Sequence, residues 1–186
     1  GAPNSTGGVA FVTTDSFRVD AYVPPFLIFC AGVTVSLNCN SSTGSFINLG
    51  ELRSSSTTSA TMQFSGATND PSGYTTYLTG NTITSGNNII NPLASPSTSR
   101  VGVSQFGVNL RQNSSPSIGS DAIGPGSSSA ASAYNSPNLF RFINGDTLSS
   151  SGTSTDFKLF TASFIVNVSP GQSPGYYATT MTYTSI

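Results

Sequence analysis

Apolar residues recur at every second position along most of this chain. In Phe17-Arg18-Val19-Asp20-Ala21-Tyr22-Val23 the odd positions are apolar and the even ones mostly polar, the pattern of a strand with one buried face. Val33, Val35 and Leu37 alternate with Thr34, Ser36 and Asn38, and Ala60, Met62 and Phe64 alternate with Thr61, Gln63 and Ser65. The longest run, Phe157 to Val168, sets Phe160, Ala162, Phe164, Val166 and Val168 on one face. In the last, Tyr176 to Ser185, Tyr177, Met181 and Tyr183 oppose a threonine row, Thr180, Thr182 and Thr184. Such a row suits an outer strand face, because β-branching favours extended backbone while the hydroxyls stay wet. One stretch changes phase: Val101 and Val103 are odd, Phe106, Val108 and Leu110 even, and a β-bulge at Ser104-Gln105 would restore a common face.

Turn residues punctuate these runs at Pro24-Pro25, Asn69 to Gly73, Ser85-Gly86-Asn87, Gly124-Pro125-Gly126, Asn144-Gly145-Asp146 and Ser173-Pro174-Gly175. No window of eleven or more residues has helical spacing with caps. Short strands between Gly/Pro turns predict an all-β fold, a single antiparallel β-sandwich of Ig-like or jelly-roll-like type. The expected core includes Val19, Val35, Met62, Phe64, Val108, Phe142, Phe160, Phe164, Val166 and Tyr183. Residues 113–138 form a long Ser/Ala/Gly/Pro-rich run, read as a surface loop able to carry specificity.

The first sixteen residues read as an N-terminal extension and residues 17–186 as the folded domain. Within the extension Val9-Ala10-Phe11-Val12 is apolar on both faces, which suits a strand enclosed on both sides. It either lies between the two sheets of its own domain or enters a neighbouring subunit as a donor strand.

Composition narrows the chemistry. Among 186 residues there is no histidine and no tryptophan, one lysine (Lys158), one glutamate (Glu51) and a net charge of −1, while Ser and Thr number 57. Twelve Phe and seven Tyr supply core material that disordered chains lack. At this length a domain buries roughly 70% of its unfolded surface. Without imidazole there is no Ser-His-Asp or Cys-His arrangement and no His-based metal site. Lys158, the one amine base, reads as a side chain snorkelling from the core edge. Asp15, Asp20, Glu51, Asp70, Asp121, Asp146 and Asp156 fall mostly in turns, where Asp shapes the turn. The Asn69-Asp70 and Asn144-Gly145-Asp146 turns lack the carboxylate density of a calcium loop. The expectation is a non-enzyme with no cofactor and no metal. Arg18, Arg53, Arg100, Arg111 and Arg141 are scattered, so no basic stripe marks a nucleic-acid partner. Phe26 to Phe29, the densest apolar stretch, is far shorter than the ~20 residues of a membrane span.

Cys30 and Cys39 form an even pair in a chain otherwise suited to an oxidising compartment. Bridged Cα atoms lie within about 7 Å, whereas a straight Val33–Leu37 strand would hold these two far apart at ~3.3 Å per residue. The expectation is a disulfide closing a small ring as the chain doubles back; a bridge between two molecules and two buried free thiols are the alternatives. Asn-x-Ser/Thr triplets at Asn4, Asn40, Asn113 and Asn167 permit glycosylation. Gly1 in place of Met is what removal of an export signal would leave, as would any trimmed start. The expected location is extracellular, on a cell surface or in a surface filament.

Cys30-Ala31-Gly32-Val33-Thr34-Val35 through Cys39, followed by Phe46-Ile47-Asn48-Leu49-Gly50, resembles a motif of secreted β proteins from ultrasmall candidate-phyla bacteria. Ala67-Thr68-Asn69 with Gly73-Tyr74, Ser104 to Arg111, Tyr134-Asn135, and Gly175-Tyr176 leading into Thr182-Tyr183-Thr184 extend the likeness from about Phe26 onward. The closing strand is also similar to that of WxL-type cell-surface domains, without their Trp. The resemblance implies export, surface display and pilus or fibre formation, and brings no catalytic residues. The function expected is a structural subunit of a pilus-like surface fibre, a head-to-tail homopolymer joined through Val9, Ala10, Phe11 and Val12. The rival is a cell-surface adhesin or carbohydrate-binding module that meets host glycans through the 113–138 loop.

Overall fold

The computed structural model describes residues 1–3, 8 and 11–186. Fourteen strands follow in order: β1 Leu27–Gly32, β2 Thr34–Val35, β3 Ser42–Thr43, β4 Thr58–Thr68, β5 Tyr74–Gly80, β6 Thr84–Ser85, β7 Asn88–Ile89, β8 Gln105–Asn109, β9 Asn113–Ser114, β10 Ser117–Ile118, β11 Ser129–Ala130, β12 Asp146–Ser151, β13 Thr155–Asn167 and β14 Met181–Ser185. A single 3₁₀ turn, Ser132–Tyr134, is the one helical element among the described residues. The protein is nearly all-β with antiparallel sheets, as its period-two pattern predicts.

Two sheets have four strands, ordered β1-β4-β13-β8 and β11-β12-β5-β14; β2-β3, β6-β7 and β9-β10 are two-stranded. Phe64, Phe160, Ala162, Phe164 and Val166 of the first sheet share one apolar cluster with Leu78 and Leu148 of the second. The Phe64 and Tyr183 rings meet across it at 5.3 Å between centroids, and Phe64 stacks on Phe160 at 5.2 Å. Strand β13 is buried on both faces from Leu159 onward. Phe160, Ala162, Phe164 and Val166 join the apolar cluster, and Thr161 on the other face exchanges a hydrogen bond with Ser120 at 2.9 Å. Of the expected core, Val35, Phe64, Val108, Phe142, Phe160, Phe164 and Val166 are buried, while Met62 and Tyr183 pack against the cluster half-buried.

Val19 departs from that expectation. Residues 11–26 have no strand, and Phe17, Val19, Tyr22 and Val23 stand in solvent, so the alternation of 17–23 builds no part of this domain's core. The sheets begin at Leu27 rather than at residue 17.

Three further expectations change. Val33 to Leu37 is not a straight strand: two residues of it pair, Thr34 with Thr43 and Val35 with Ser42, and the chain doubles back with Cys39 at φ 59°. The phase change before β8 is a turn rather than a bulge. The Val103 N–H donates to the Arg100 carbonyl and Gly102 sits at φ 79°, which leaves Val101 and Val103 exposed. The closing strand starts at Met181, later than Tyr176.

The Asn69–Gly73 turn follows its sequence closely. Asp70 accepts the Ser72 N–H through Oδ1 at 2.7 Å and the Gly73 N–H through its carbonyl at 3.0 Å. Gly73 is required there, because at φ 77° an added Cβ would collide with the Ser151 carbonyl.

Candidate functional site

The titratable side chains that the sequence singles out as candidates for catalysis lie apart from one another. Lys158 Nζ donates to the Gly124 carbonyl at 2.9 Å, as a chain reaching out of the core edge should. The acids are dispersed: Asp20 pairs with Arg18, Glu51 with Arg53, Asp121 with Arg111 and Asp146 with Arg141. No three metal-ligating side chains come together among the described residues. Nor is any helix there long and apolar enough to cross a membrane.

Cys30 and Cys39 are joined within one chain, with Cα atoms 5.7 Å apart, so the ring reading holds over the intermolecular one. The ring lies against β4: Ser65 Oγ donates to the Leu37 carbonyl at 2.6 Å, and Gln63 Oε1 accepts the Val35 N–H at 2.9 Å. It is a structural staple.

Residues 113–138 are tied down more firmly than a free surface loop. Asn113 is buried, its Nδ2 donating to the Arg111 and Ile118 carbonyls and its Oδ1 accepting the Asn138 N–H at 2.7 Å. Tyr134 is buried and donates to Asp146 Oδ2 at 2.8 Å; Arg141 pairs with the same oxygen at 2.8 Å. Burial, then the Asp146 contact, push the Tyr134 hydroxyl well above the ordinary tyrosine range. Asn113 and Asn167 are both interior, which removes them as glycan acceptors in the folded protein; Asn40 is exposed and Asn4 lies outside the described residues. What the loop offers solvent is a shallow depression of about 230 Å³ beside Arg111, Asp121 and Asn135. Arg111 Nε donates to Asp121 Oδ1 at 2.7 Å, and that bond holds the Asp121 carboxyl below its usual range.

The unusual surface is at the other end of the chain. Of the expected donor run, Val9 and Ala10 lie outside the described residues, while Phe11 and Val12 project into solvent at 88% exposure. Phe17, Val19, Tyr22 and Val23 follow at 78–87%. A soluble surface normally scatters its large apolar side chains singly. Here they line one extended arm.

Asn69 sets the direction in which this arm leaves. Its Nδ2 donates to the Pro24 carbonyl at 2.9 Å and its Oδ1 accepts the Phe26 N–H at 2.8 Å. Thr68 Oγ1 adds a bond to the Phe26 carbonyl at 2.7 Å. Pro24 and Pro25 fix φ and drive the residues before them to extended backbone. The chain is therefore pinned to the end of β4 immediately before β1 begins.

β1 itself pairs on one side, with β4. Phe26 turns its backbone toward β4, so the alternation of an antiparallel ladder turns that of Leu27, Phe29 and Ala31 to the outer edge. Ser42 Oγ occupies the Ala31 carbonyl at 2.8 Å, and the Val33 N–H reaches the Gly44 carbonyl at 2.9 Å. The outward groups of Leu27 and Phe29 have no partner among the described residues. Leu27 and Ile28 are 40% and 42% exposed, and Leu27 lines a depression of about 240 Å³ with Pro25, Phe26, Thr68 and Ile186. This edge and its Asn69 anchor were not foreseen from sequence. The Pro24-Pro25 pair between two apolar runs was the one available sign.

No family model matches the chain, and neither does any curated protein or solved structure.

Proposed function

We propose that this chain is a structural subunit of an extracellular, pilus-like filament in which each copy donates an N-terminal β-strand to the next. One observation carries the reading: a period-two apolar arm, exposed and without a strand partner among the described residues, attached to a folded body that does not use it. We take the two four-stranded sheets as the layers of one β-sandwich, the body of the subunit. The intramolecular disulfide fits an exported protein. In strand addition the backbone ladder supplies adhesion and alternate side chains fill pockets. A donor leaving one end of the body for the edge of another makes a head-to-tail contact, and such contacts propagate as fibres unless they close. This is also the class of protein that the sequence resemblance implies.

Electron microscopy of the concentrated, purified protein tests it. Filaments are expected, and removal of residues 1–23 should leave a folded monomer. Persistence of filaments after that truncation would refute strand donation.

The adhesin reading rests on the depression beside Arg111 and Asn135. A glycan array with the arm-deleted protein tests it, and specific binding abolished by Arg111→Ala is the result that would favour it.

A further inference from the structure

We infer that the donated strand is Phe17–Val23 and that its acceptor is the outer edge of β1 in a second copy of this chain, beside Leu27 and Phe29. The inference rests on the strand-donation reading and specifies both halves of the contact.

Four observations converge on it. The first is the arm's pattern: Phe17, Val19, Ala21 and Val23 fall on one face and Arg18 and Asp20 on the other, as a strand with one buried face requires. Val9–Val12 lacks that alternation. The second is the edge, where the outward N–H and C=O of Leu27 and Phe29 have no partner among the described residues and the next positions, from the Ala31 carbonyl on, are already taken by Ser42 and Gly44. The vacancy thus lies at the N-terminal half of β1 and ends at a defined point. The third is the face beneath it. Phe29 and Ala31 pack on the core cluster, and Leu27 shares their side of the strand, so an added strand would lay its odd residues over core that β1 leaves half covered.

The fourth observation selects the occupant. The arm cannot fold back onto its own β1. Three residues separate Val23 from Leu27; two are prolines, and Asn69 holds both Pro24 and Phe26 in line with the strand. A tight hairpin needs primed-turn geometry that prolines there forbid. The arm of one copy therefore reaches the edge of another.

Sedimentation velocity over a concentration series tests the pairing in full-length protein. Val19→Asp puts a charge on the inserting face of the donor. Leu27→Pro removes an outward N–H from the acceptor and leaves the bonds toward β4 in place. Each variant should lower the association constant more than about tenfold and sediment near 19.1 kDa. Mixed one to one, they should form a dimer and nothing larger, because one partner keeps a working arm and the other a working edge. If Leu27→Pro loses the far-UV signature of the fold, Leu27→Lys blocks the same edge with a charge.

A folded Leu27 variant that assembles like the wild type overturns the acceptor. A Val19→Asp protein that does so overturns the donor, and a mixture that stays monomeric overturns their pairing. Either of the first two results leaves the filament reading intact. A wild type that stops at a closed dimer, with both variants monomeric, keeps this pairing and removes the filament. A wild type that is monomeric throughout removes both.

Discussion

Phe64 is the residue through which the two main sheets hold each other. It is 1% exposed, and its ring lies 6.2 Å from Phe29, 5.2 Å from Phe160 and 5.3 Å from Tyr183, the last on the opposite sheet. Truncation to alanine removes the apolar contact and leaves a cavity that stiff neighbouring strands cannot fill, a change that costs about 3–5 kcal/mol in protein cores. The aromatic pairs add about 0.5–1.5 kcal/mol each beyond burial, overlapping with that figure. About 4 kcal/mol is therefore expected, a large share of a total stability of roughly 5–15 kcal/mol. At about 2–4 °C per kcal/mol for a chain of this size, Tm should fall by about 8–16 °C. Urea unfolding followed by far-UV circular dichroism and by tyrosine fluorescence measures it, and the missing tryptophan keeps the second signal clean. Both probes should shift together, because Phe64 of one sheet packs on Tyr183 of the other. Phe46→Ala, at a side chain 79% exposed, is the control and should stay within about 0.5 kcal/mol. A loss below about 1.5 kcal/mol, or two probes that separate, would show that the sheets do not share one core.

Tyr183 carries a buried hydroxyl with no hydrogen-bond partner among the described residues, so Tyr183→Phe should stabilise the fold by about 1 kcal/mol in the same urea titration. Burial also raises the Tyr183 pKa, and raises those of Tyr134 and Tyr74. The resulting stability is complete below the unfolded tyrosine value of about 10 and is lost as pH climbs above it. With no histidine, stability should be flat from about pH 5 to 9, and Tyr183→Phe should blunt the alkaline fall measured by pH-jump unfolding. The Cys30→Ser/Cys39→Ser double variant opens a ring with sequence separation 9. Loop-closure entropy makes that worth about 2.7 kcal/mol, read as a drop in Tm with assembly otherwise unchanged. Self-association should change less than about threefold between 50 mM and 1 M NaCl, since Arg18 and Asp20 of the donor neutralise each other at 2.6 Å; sedimentation at both salts measures it.

The strands legible in sequence were those whose inward residues are bulky. β4 announces itself because Met62 and Phe64 alternate with Thr61, Gln63 and Ser65, and β13 because Phe160, Ala162, Phe164, Val166 and Val168 recur at every second position. β5 and β12 do not: Thr76 and Ser149 point into the protein with Leu78 and Leu148, and an inward hydroxyl looks like an outward one on paper. The low-complexity stretch misleads for a related reason. Asn113 and Tyr134 are polar by type yet interior by position, because Arg111, Ile118, Asn138 and Asp146 meet their hydrogen-bonding needs. At Phe17–Val23 the pattern predicts a strand, yet the segment is exposed and forms none in this structure; alternation does not say whose sheet it would join.

Period-two alternation encodes one buried face and nothing about whose core buries it. In most proteins the distinction is idle, because a short turn returns the segment to its own sheet. Here Pro24-Pro25 and the two Asn69 bonds remove that turn. The segment with the most regular alternation near the start of the chain is thereby the one its own domain does not enclose. The same anchor keeps the arm off the outer edge of the N-terminal half of β1, which has no neighbour there among the described residues, so the open edge and the exposed arm share one cause. An exposed edge beside an exposed apolar strand is an aggregation hazard for a monomer. It becomes a specific contact when the register is set by apolar alternation on the arm and by Ser42 and Gly44, which close the edge at Ala31. If arm and edge pair as proposed, those two features, rather than any charged group, set the specificity of the contact.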